Sequence, residues 1–202
     1  SGSGEGNGNA VIDDCWDRVN STAYKWGTHA GATASALTGP NDDFNGGGKY
    51  LLAEANNGIM GDSAMIISPR IDVSSLTNPY LSFYYFMHGD QMERLRVDIY
   101  DGTTWHNGVL SIIGEQQTQP TDPWAEATVD INNFTSGQVL QIRFTSFKGG
   151  VSYLPYSDIA VDEVSIIEKP VCLRSTSFAV DTVTSDIVTL SWVPSAGALS
   201  HH

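Results

Sequence analysis

Apolar and polar side chains alternate along several short stretches of this chain, which is the pattern of β-strands covered on one face. In the segment LRVDIY at 95–100, Leu95, Val97 and Ile99 stand at every second position. In QIRFTSF at 141–147, Ile142 and Phe144 repeat the alternation. Successive strand residues point to opposite sides of a sheet, so the pattern predicts one buried and one solvent-facing side for each strand.

Such stretches recur between clusters of Gly, Pro, Asn and Asp, at the spacing typical of an antiparallel sandwich. No long segment carries a helical stripe, and helix-breaking residues are dense throughout the chain. The sequence therefore predicts an all-β, antiparallel β-sandwich with little helix. The predicted strands include Tyr50–Ala55, Ala64–Ile67, Tyr80–Met87, Leu95–Tyr100, Ala127–Asp130, Val139–Phe147 and Ile159–Ile167.

The composition changes after Glu168, where the segment KPVCL at 169–173 has the character of a linker. Beyond it, VTLSWVPSAG at 188–197 resembles the opening strands of a fibronectin type III domain, whose early Trp packs in the core. About 25 residues cannot complete a sandwich of seven strands, so we expect the chain to stop inside a second domain. The predicted organisation is a linker at 1–10, a β-sandwich at 11–168, a linker with a truncated second domain at 169–196, and a tag remnant at 197–202.

The chain is acidic: 202 residues include ten Lys and Arg against 23 Asp and Glu, for a net charge of −13. Binding to a nucleic-acid backbone depends on clustered cations, and no basic run is present, so we expect no nucleic-acid partner. No apolar run reaches the roughly 18 to 20 residues that span a bilayer, so we expect no membrane insertion. Carboxylates can instead keep a surface solvated or converge on a hard cation such as calcium.

The two cysteines, Cys15 and Cys172, stand near opposite ends of the sequence and lack the CxxC spacing of zinc or redox sites. The first and last strands of an antiparallel sandwich often lie close together, so a disulfide that closes the domain is one expectation. Two separate thiols are the other.

A series of short sequence motifs follows one another along the chain in the order that a known domain family shows. The landmarks are Trp26, the TGP turn at 38–40, Asp42 with Asp43, GKYLLAEA at 48–55, Ser68 with Pro69, LSFYYFMHG at 81–89, LRVDIY at 95–100, Gly114 with Gln116, Trp124, QIRF at 141–144 and DIAVDEV at 158–164. Together they resemble the MAM domain, a jelly-roll module of extracellular and cell-surface proteins, and its relatives in bacterial secreted adhesins. The resemblance spans residues 12–168.

This resemblance implies an antiparallel jelly-roll sandwich that is secreted or attached to a cell surface and contacts protein or glycan. The chain departs from the family pattern at Met92, which precedes Glu93 where the family often has Gly. Only Cys15 of the family's usual four cysteines lies in the matching region. A bacterial multidomain parent is therefore expected.

Five acids form the candidate metal site: Asp42 and Asp43 in a Gly-rich turn, Glu54 on the next strand, and Asp158 and Asp162 near the end of the sandwich. Calcium takes six to eight oxygen ligands, and carboxylates with loop carbonyls supply them. Similar jelly-roll modules commonly hold a structural ion between an early loop and the last strand, so calcium is the expected cofactor. The alternative is that these acids only face water.

Aromatic residues provide the candidates for contact with a partner. Trp26 and Trp124 match family landmarks and are expected in the core. Trp105, Tyr153 and Tyr156 lie in turn-like sequence and are expected to be exposed, so they are the candidate partner-binding residues.

The sequence lacks the motifs of common hydrolases. It contains no GxSxG or HExxH segment, and His88 matches a turn position of the family. We therefore expect a calcium-stabilised adhesion or binding module without catalytic activity. One alternative is a carbohydrate-binding module appended to a secreted protease or glycanase. A second is a jelly-roll enzyme that degrades polysaccharides with paired carboxylates.

Overall fold

A computed structural model of the chain describes residues 15–19, 23–150, 156–169 and 176–193. The chain divides into two compact units, Ser1–Ile167 and Glu168–His202. Within the described part of the second unit, two strands form an antiparallel hairpin closed by the Thr184 N–H, which donates to the Ile187 carbonyl at 2.8 Å. The fibronectin type III start stays a prediction.

Strands are the main regular elements of the described residues. In order they are β1 (Asp17–Arg18), β2 (Trp26–His29), β3 (Tyr50–Ala53), β4 (Ser63–Ile67), β5 (Ile71–Asp72), β6 (Pro79–Met87), β7 (Met92–Tyr100), β8 (Trp105–Ile113), β9 (Ala125–Asp130), β10 (Val139–Lys148), β11 (Ile159–Glu168), β12 (Thr176–Val183) and β13 (Val188–Val193). Two short 3₁₀ turns, Ala55–Asn57 and Asn132–Phe134, are the helical elements of the described residues.

The strands of the first unit form two antiparallel sheets that pack face to face. One sheet has the order β1-β4-β10-β7-β8, with β5 also paired to β10. The other has the order β2-β3-β11-β6-β9, so the last strand of the unit lies between β3 and β6. The predicted all-β, jelly-roll sandwich is confirmed.

The core between the sheets follows the predicted alternation. Leu95, Val97 and Ile99 on β7 are fully buried, and Phe144 on β10 contacts the ring of Phe83 on β6 at 5.0 Å between centroids. Trp26 is fully buried, as expected, and its indole N–H donates to the Ala64 carbonyl at 3.0 Å. Burial of these large side chains is the main stabilising contribution to the sandwich.

The outward side of the β7–β10 pair is less exposed to solvent than the alternation predicted. Asp98 was expected to face water but is fully buried. The guanidinium groups of Arg96 and Arg143 cover it, each with its Nε 2.8 Å from an Asp98 oxygen. Arg96 on the same strand and Arg143 on the neighbouring β10 replace water here, because both donate to the carboxylate.

The sequence analysis did not predict strand β8. It placed Trp105 in an exposed turn, and this prediction is wrong. Trp105 begins β8, is partly buried, and lies under the Arg143 guanidinium at 4.2 Å from the ring centroid. The register of β8 shifts against β7 between Val97 and Ile99. Gly108 takes a left-handed φ of 69° beside this shift, and its N–H donates to Asp98 at 2.7 Å. A bulge of this kind hides the period-two signal.

A long early loop covers the outer face of the second sheet. The ring of Phe44 stacks on Tyr84 of β6 at 3.6 Å, and the Trp124 indole N–H donates to the Asp42 carbonyl at 3.2 Å. Trp124, expected in the core, is partly buried against a second small cluster that contains Tyr50 and the β11 residue Ala160. The first residues of β11 are consequently covered on both sides, and the candidate site lies around this start of the strand.

Candidate functional site

Strand pairing brings two of the predicted ligands together inside the protein. Ile159 of β11 pairs with Ala53 of β3, so Asp158 and Glu54 are adjacent at the ends of neighbouring strands. Both side chains are buried, with exposed fractions of 1% for Glu54 and 0% for Asp158. We call these two residues the inner pair.

Each acid of the inner pair uses one oxygen to accept from the 3₁₀ turn that follows β3. The Asp158 Oδ1 accepts the Ala55 N–H at 2.8 Å, and the Glu54 Oε1 accepts the Asn56 N–H at 3.3 Å. The other two oxygens, Glu54 Oε2 and Asp158 Oδ2, are buried and, within the described part of the chain, accept from no group outside the pair. When one acid is protonated, the two side chains hydrogen-bond each other. Buried polar atoms are rarely left unpaired, so these two oxygens mark a place for a proton or a cation.

Burial and mutual repulsion set the protonation of the inner pair. Burial raises the pKa of Asp158 well above its usual range, and the neighbouring Glu54 charge raises it further. Burial also raises the pKa of Glu54. Two like charges in a poorly solvated site favour uptake of one proton, unless a cation balances them.

Lys148 is the positively charged neighbour that the sequence analysis missed. It is fully buried, and its Nζ lies 3.3 Å from the Ser157 hydroxyl. Burial lowers its pKa, while the charges of Asp158, Asp62 and Glu54 oppose that shift. Its position at the end of β10, an even number of residues after Ile142 and Phe144, is the signal that could have placed it on the inner side.

The remaining predicted ligands, Asp42, Asp43 and Asp162, serve the early loop. The Asp43 Oδ1 accepts the Gly48 N–H at 2.6 Å, and the Asp42 Oδ2 accepts the Gly47 N–H at 3.1 Å. The Gly48 N–H bond is the main reason that the pKa of Asp43 lies below its usual value. Asp42 and Asp43 thus accept from backbone N–H groups of their own loop, residues 42–48, which we call the acidic loop.

Asp162 fastens the acidic loop to β11. Its Oδ2 accepts the Phe44 N–H at 3.0 Å, and next to it the Asn45 amide donates to the Glu163 carboxylate at 2.8 Å. The early loop and β11 therefore meet, as the calcium hypothesis expected. Hydrogen bonds between protein groups join them.

The five predicted ligands thus separate into the inner pair and the three acids of the acidic loop region. Among the described residues, no group of three or more His, Cys, Asp or Glu side chains is placed to hold a metal ion. An ion at the inner pair would need further oxygens from carbonyl, hydroxyl or amide groups, which are ordinary calcium ligands. Calcium stays a prediction.

The candidate partner-binding aromatics and the two cysteines lie in different parts of the chain. Trp105 lies on β8, and Tyr156 is partly buried in the segment before β11. Tyr153 and Cys172 lie outside the described residues, whereas Cys15 is described and exposed. Partner contact and the disulfide stay predictions. No helix in the described ranges has the length and apolar character needed to cross a bilayer.

The inner pair gives a pH dependence whose sign follows from its raised pKa values. Between the ordinary carboxyl pKa of about 4 and the raised values, the folded protein binds more protons than the unfolded chain, so its stability falls as pH rises. In chelator, we expect the melting temperature of the wild type to drop relative to Asp158→Asn as pH increases from about 4 to about 9. Melting curves of both proteins across that range measure it, and parallel pH profiles would contradict the assignment.

The sequence is similar to a known domain family and to several larger proteins. The family model of the MAM domain, meprin/A5/mu, matches residues 11–172. Human neuropilin-1 is 27% identical over 158 residues, which cover 75% of this chain and 15% of neuropilin-1. Mouse zonadhesin is 29% identical over 157 residues, covering 75% of this chain and 3% of zonadhesin. The chain thus spans a small part of the curated relatives that it matches.

Solved structures share the fold at low sequence identity. The K1 cleaved adhesin domain of Lys-gingipain from Porphyromonas gingivalis W83 has a TM-score of 0.54 and 16% identity, and the match covers 82% of this chain and 97% of that domain. The K3 cleaved adhesin domain of the same protein has a TM-score of 0.50 and 14% identity, covering 76% and 91%. These likenesses concern the fold.

Proposed function

The chain belongs to the MAM domain family, and from this premise we propose that it is a calcium-stabilised binding module without catalytic activity. It contacts protein or glycan on a cell surface or in an extracellular matrix. The relative named zonadhesin and the fold shared with a cleaved adhesin domain support a role in adhesion. Calcium would hold the end of β3 to the start of β11, beneath the loops that meet at this end of the sandwich.

The observation that carries the calcium proposal is the inner pair. Glu54 and Asp158 present two buried carboxyl oxygens that lack a hydrogen-bond donor among the described residues. Calcium prefers oxygen ligands, and two carboxylates suit its charge. When bound, the ion would add to the positive charge of Lys148 and let both acids stay ionised. The chain's own part is to fix those acids through the Ala55 and Asn56 amides.

The same geometry weighs against a polysaccharide-degrading enzyme. Glycoside hydrolases place two carboxyl groups on either side of a substrate bond. Glu54 and Asp158 are both buried, so a glycosidic bond cannot lie between the two acids of the inner pair in this conformation. A carbohydrate-binding module of a larger secreted enzyme is the second candidate, and the aromatic ring of Tyr156 at the loop end of the sandwich supports it.

For the parent protein we propose a secreted or surface-attached string of modules of the bacterial type. The small share of the relatives that this chain spans supports a longer parent. The change of unit at Glu168 supports a second module after the sandwich, which we propose begins as a fibronectin type III domain.

Binding is tested with the whole chain immobilised, against an array of glycans and against extracellular protein preparations whose captured components are then identified and re-bound in purified form. We expect saturable binding to a defined protein or glycan, which is weaker in chelator, and no release of products from polysaccharides. Product release that Asp158→Asn abolishes would replace the binding function with an enzymatic one. A matched control is Asp17→Asn, an exposed acid on β1.

A further inference from the structure

A pocket of about 240 Å³ opens at the loop end of the first unit. Its lining includes Leu37, His88, Asp90, Glu115 and Tyr156. These residues come from four separate connections, namely the early loop, the β6–β7 turn, the β8–β9 loop and the segment before β11. None of the five belongs to the inner pair or the acidic loop, so the pocket is a separate site.

Close backbone contacts hold the four connections together around this pocket. Gly89, in the β6–β7 turn, has a φ of 143°, and an added Cβ would lie 2.4 Å from the Tyr156 carbonyl oxygen. The Gln91 N–H donates to that same oxygen at 3.1 Å, and the Gly89 N–H donates to Glu115 at 2.8 Å. The turn therefore fixes Tyr156 and Glu115 relative to each other.

Thr38 ties the pocket to the interior. Its hydroxyl donates to the His88 carbonyl at 2.9 Å and accepts the Asp158 N–H at 3.1 Å. One residue consequently separates the pocket from the inner pair. Binding sites need such rigid support to keep their groups in position.

Two features of the pocket lack a structural explanation. His88 is 4% exposed, and its buried Nδ1 has no hydrogen-bond partner in the described part of the chain. Leu37 is 69% exposed and has a φ of 63°, a conformation that a bulky side chain rarely adopts. Unsatisfied polar groups and backbone strain gather at binding sites, because ligand contacts can compensate for them.

The charge of the pocket selects its ligand. Its charged lining groups are the carboxylates of Asp90 and Glu115, and both residues are exposed. An anionic ligand would be repelled, and a neutral one would displace water from the carboxylates without supplying a counter-charge. A cation is attracted by both acids, and the net charge of −13 also attracts cations to this chain.

The walls of the pocket suit a cation on an apolar stem. The Tyr156 ring can attract a cation through its face, and the Leu37 side chain offers an aliphatic contact. We propose that this pocket binds a lysine or arginine side chain displayed by a partner protein. The inference rests on the proposed binding function and names the class of partner within it.

The test is an NMR titration of the 15N-labelled full chain with Nα-acetyl-lysine methylamide. Controls are Nα-acetyl-norleucine methylamide, which keeps most of the stem but lacks the ammonium group, and methyl β-galactoside. We expect the lysine probe to shift the amides of His88, Asp90 and Glu115 at millimolar concentration. Binding of the norleucine probe is expected to be at least about fivefold weaker, and added salt should weaken binding of the lysine probe.

Variants locate the site and separate binding from folding. Asp90→Asn and Glu115→Gln each remove one charge, and the amide introduced by Glu115→Gln keeps an oxygen for the Gly89 N–H, so each is expected to weaken lysine binding up to about fivefold. Asp17→Asn removes a charge from β1 and is expected to change nothing. Leu37→Gly relieves the left-handed φ, so it is expected to keep the melting temperature while weakening binding of the probe.

The outcomes distinguish this inference from the broader function. Equal binding of the lysine and norleucine probes, or binding of the galactoside alone, overturns a basic side chain as the ligand. If no probe binds but the chain still binds a purified extracellular target, the pocket inference is overturned and the binding function stands. If the chain binds neither probe nor target, both are overturned.

Discussion

Calcium is expected to raise the melting temperature of the wild-type chain, and Asp158→Asn is expected to abolish that rise. At calcium concentrations about 100-fold above the dissociation constant, mass action adds about 2.7 kcal/mol to the free energy of unfolding. For a domain of this size, the melting temperature then rises by about 5 to 11 °C. The reason is that the ion balances two buried carboxyl groups which otherwise repel each other.

The variants make this result specific to the inner pair. In chelator, Asp158→Asn should melt no lower than the wild type, because Asn neither needs a proton nor repels Glu54, and it keeps an oxygen for the Ala55 N–H. Asp162→Asn, in the acidic loop contact, should keep the calcium-dependent rise. Loss of the rise in Asp162→Asn but not in Asp158→Asn would transfer the ion to the acidic loop. Equal melting of the wild type with calcium and with chelator would remove the metal proposal.

Replacing Asp98 with Ala is expected to cost about 3 kcal/mol of stability and to lower the melting temperature by about 6 to 12 °C. Its carboxylate is fully buried and accepts from Arg96, Arg143 and the Gly108 N–H. Without it, two guanidinium groups repel each other across neighbouring strands and a backbone donor at the β8 bulge is left unpaired. Thermal or denaturant unfolding at neutral pH measures the change.

The matched control for Asp98→Ala is Asp17→Ala, because Asp17 is also a strand acid but is exposed. We expect that control to melt within about 2 °C of the wild type. Asp98→Asn should lie between the two, since the amide keeps an oxygen for Gly108 but loses the charge. A melting temperature for Asp98→Ala close to that of the control would mean that the arginines and the carboxylate do not stabilise the sheet.

The fold could be predicted where burial alone decided the position of a residue. Leu95, Val97 and Ile99 show their side of β7 directly, because a one-sided strand leaves a period of two in the sequence. The strand Trp105–Ile113 could not be recognised, because Gly108 and the shift in register interrupt that period. Local signals of this kind fail wherever a bulge adjusts the register.

The candidate site was predictable in composition but not in arrangement. The acids in the early loop and around β11 predicted a binding site in this part of the molecule, and the structure does bring the loop to β11. The sequence did not reveal that Glu54 and Asp158 are buried while Asp42 and Asp43 accept from loop amides. That division depends on which backbone N–H groups reach each carboxylate, which only the folded chain decides.

The sequence by itself determined the all-β sandwich, its core strands and its family, because hydrophobic alternation and ordered landmarks are local properties of a chain. Tertiary structure decided the rest. Residues more than a hundred positions apart meet in the inner pair, four loops converge on the pocket beside His88, and Asp98 is buried by arginines from two strands. Each of these depends on non-local contact, and burial and charge compensation act on distance in space rather than on position along the chain.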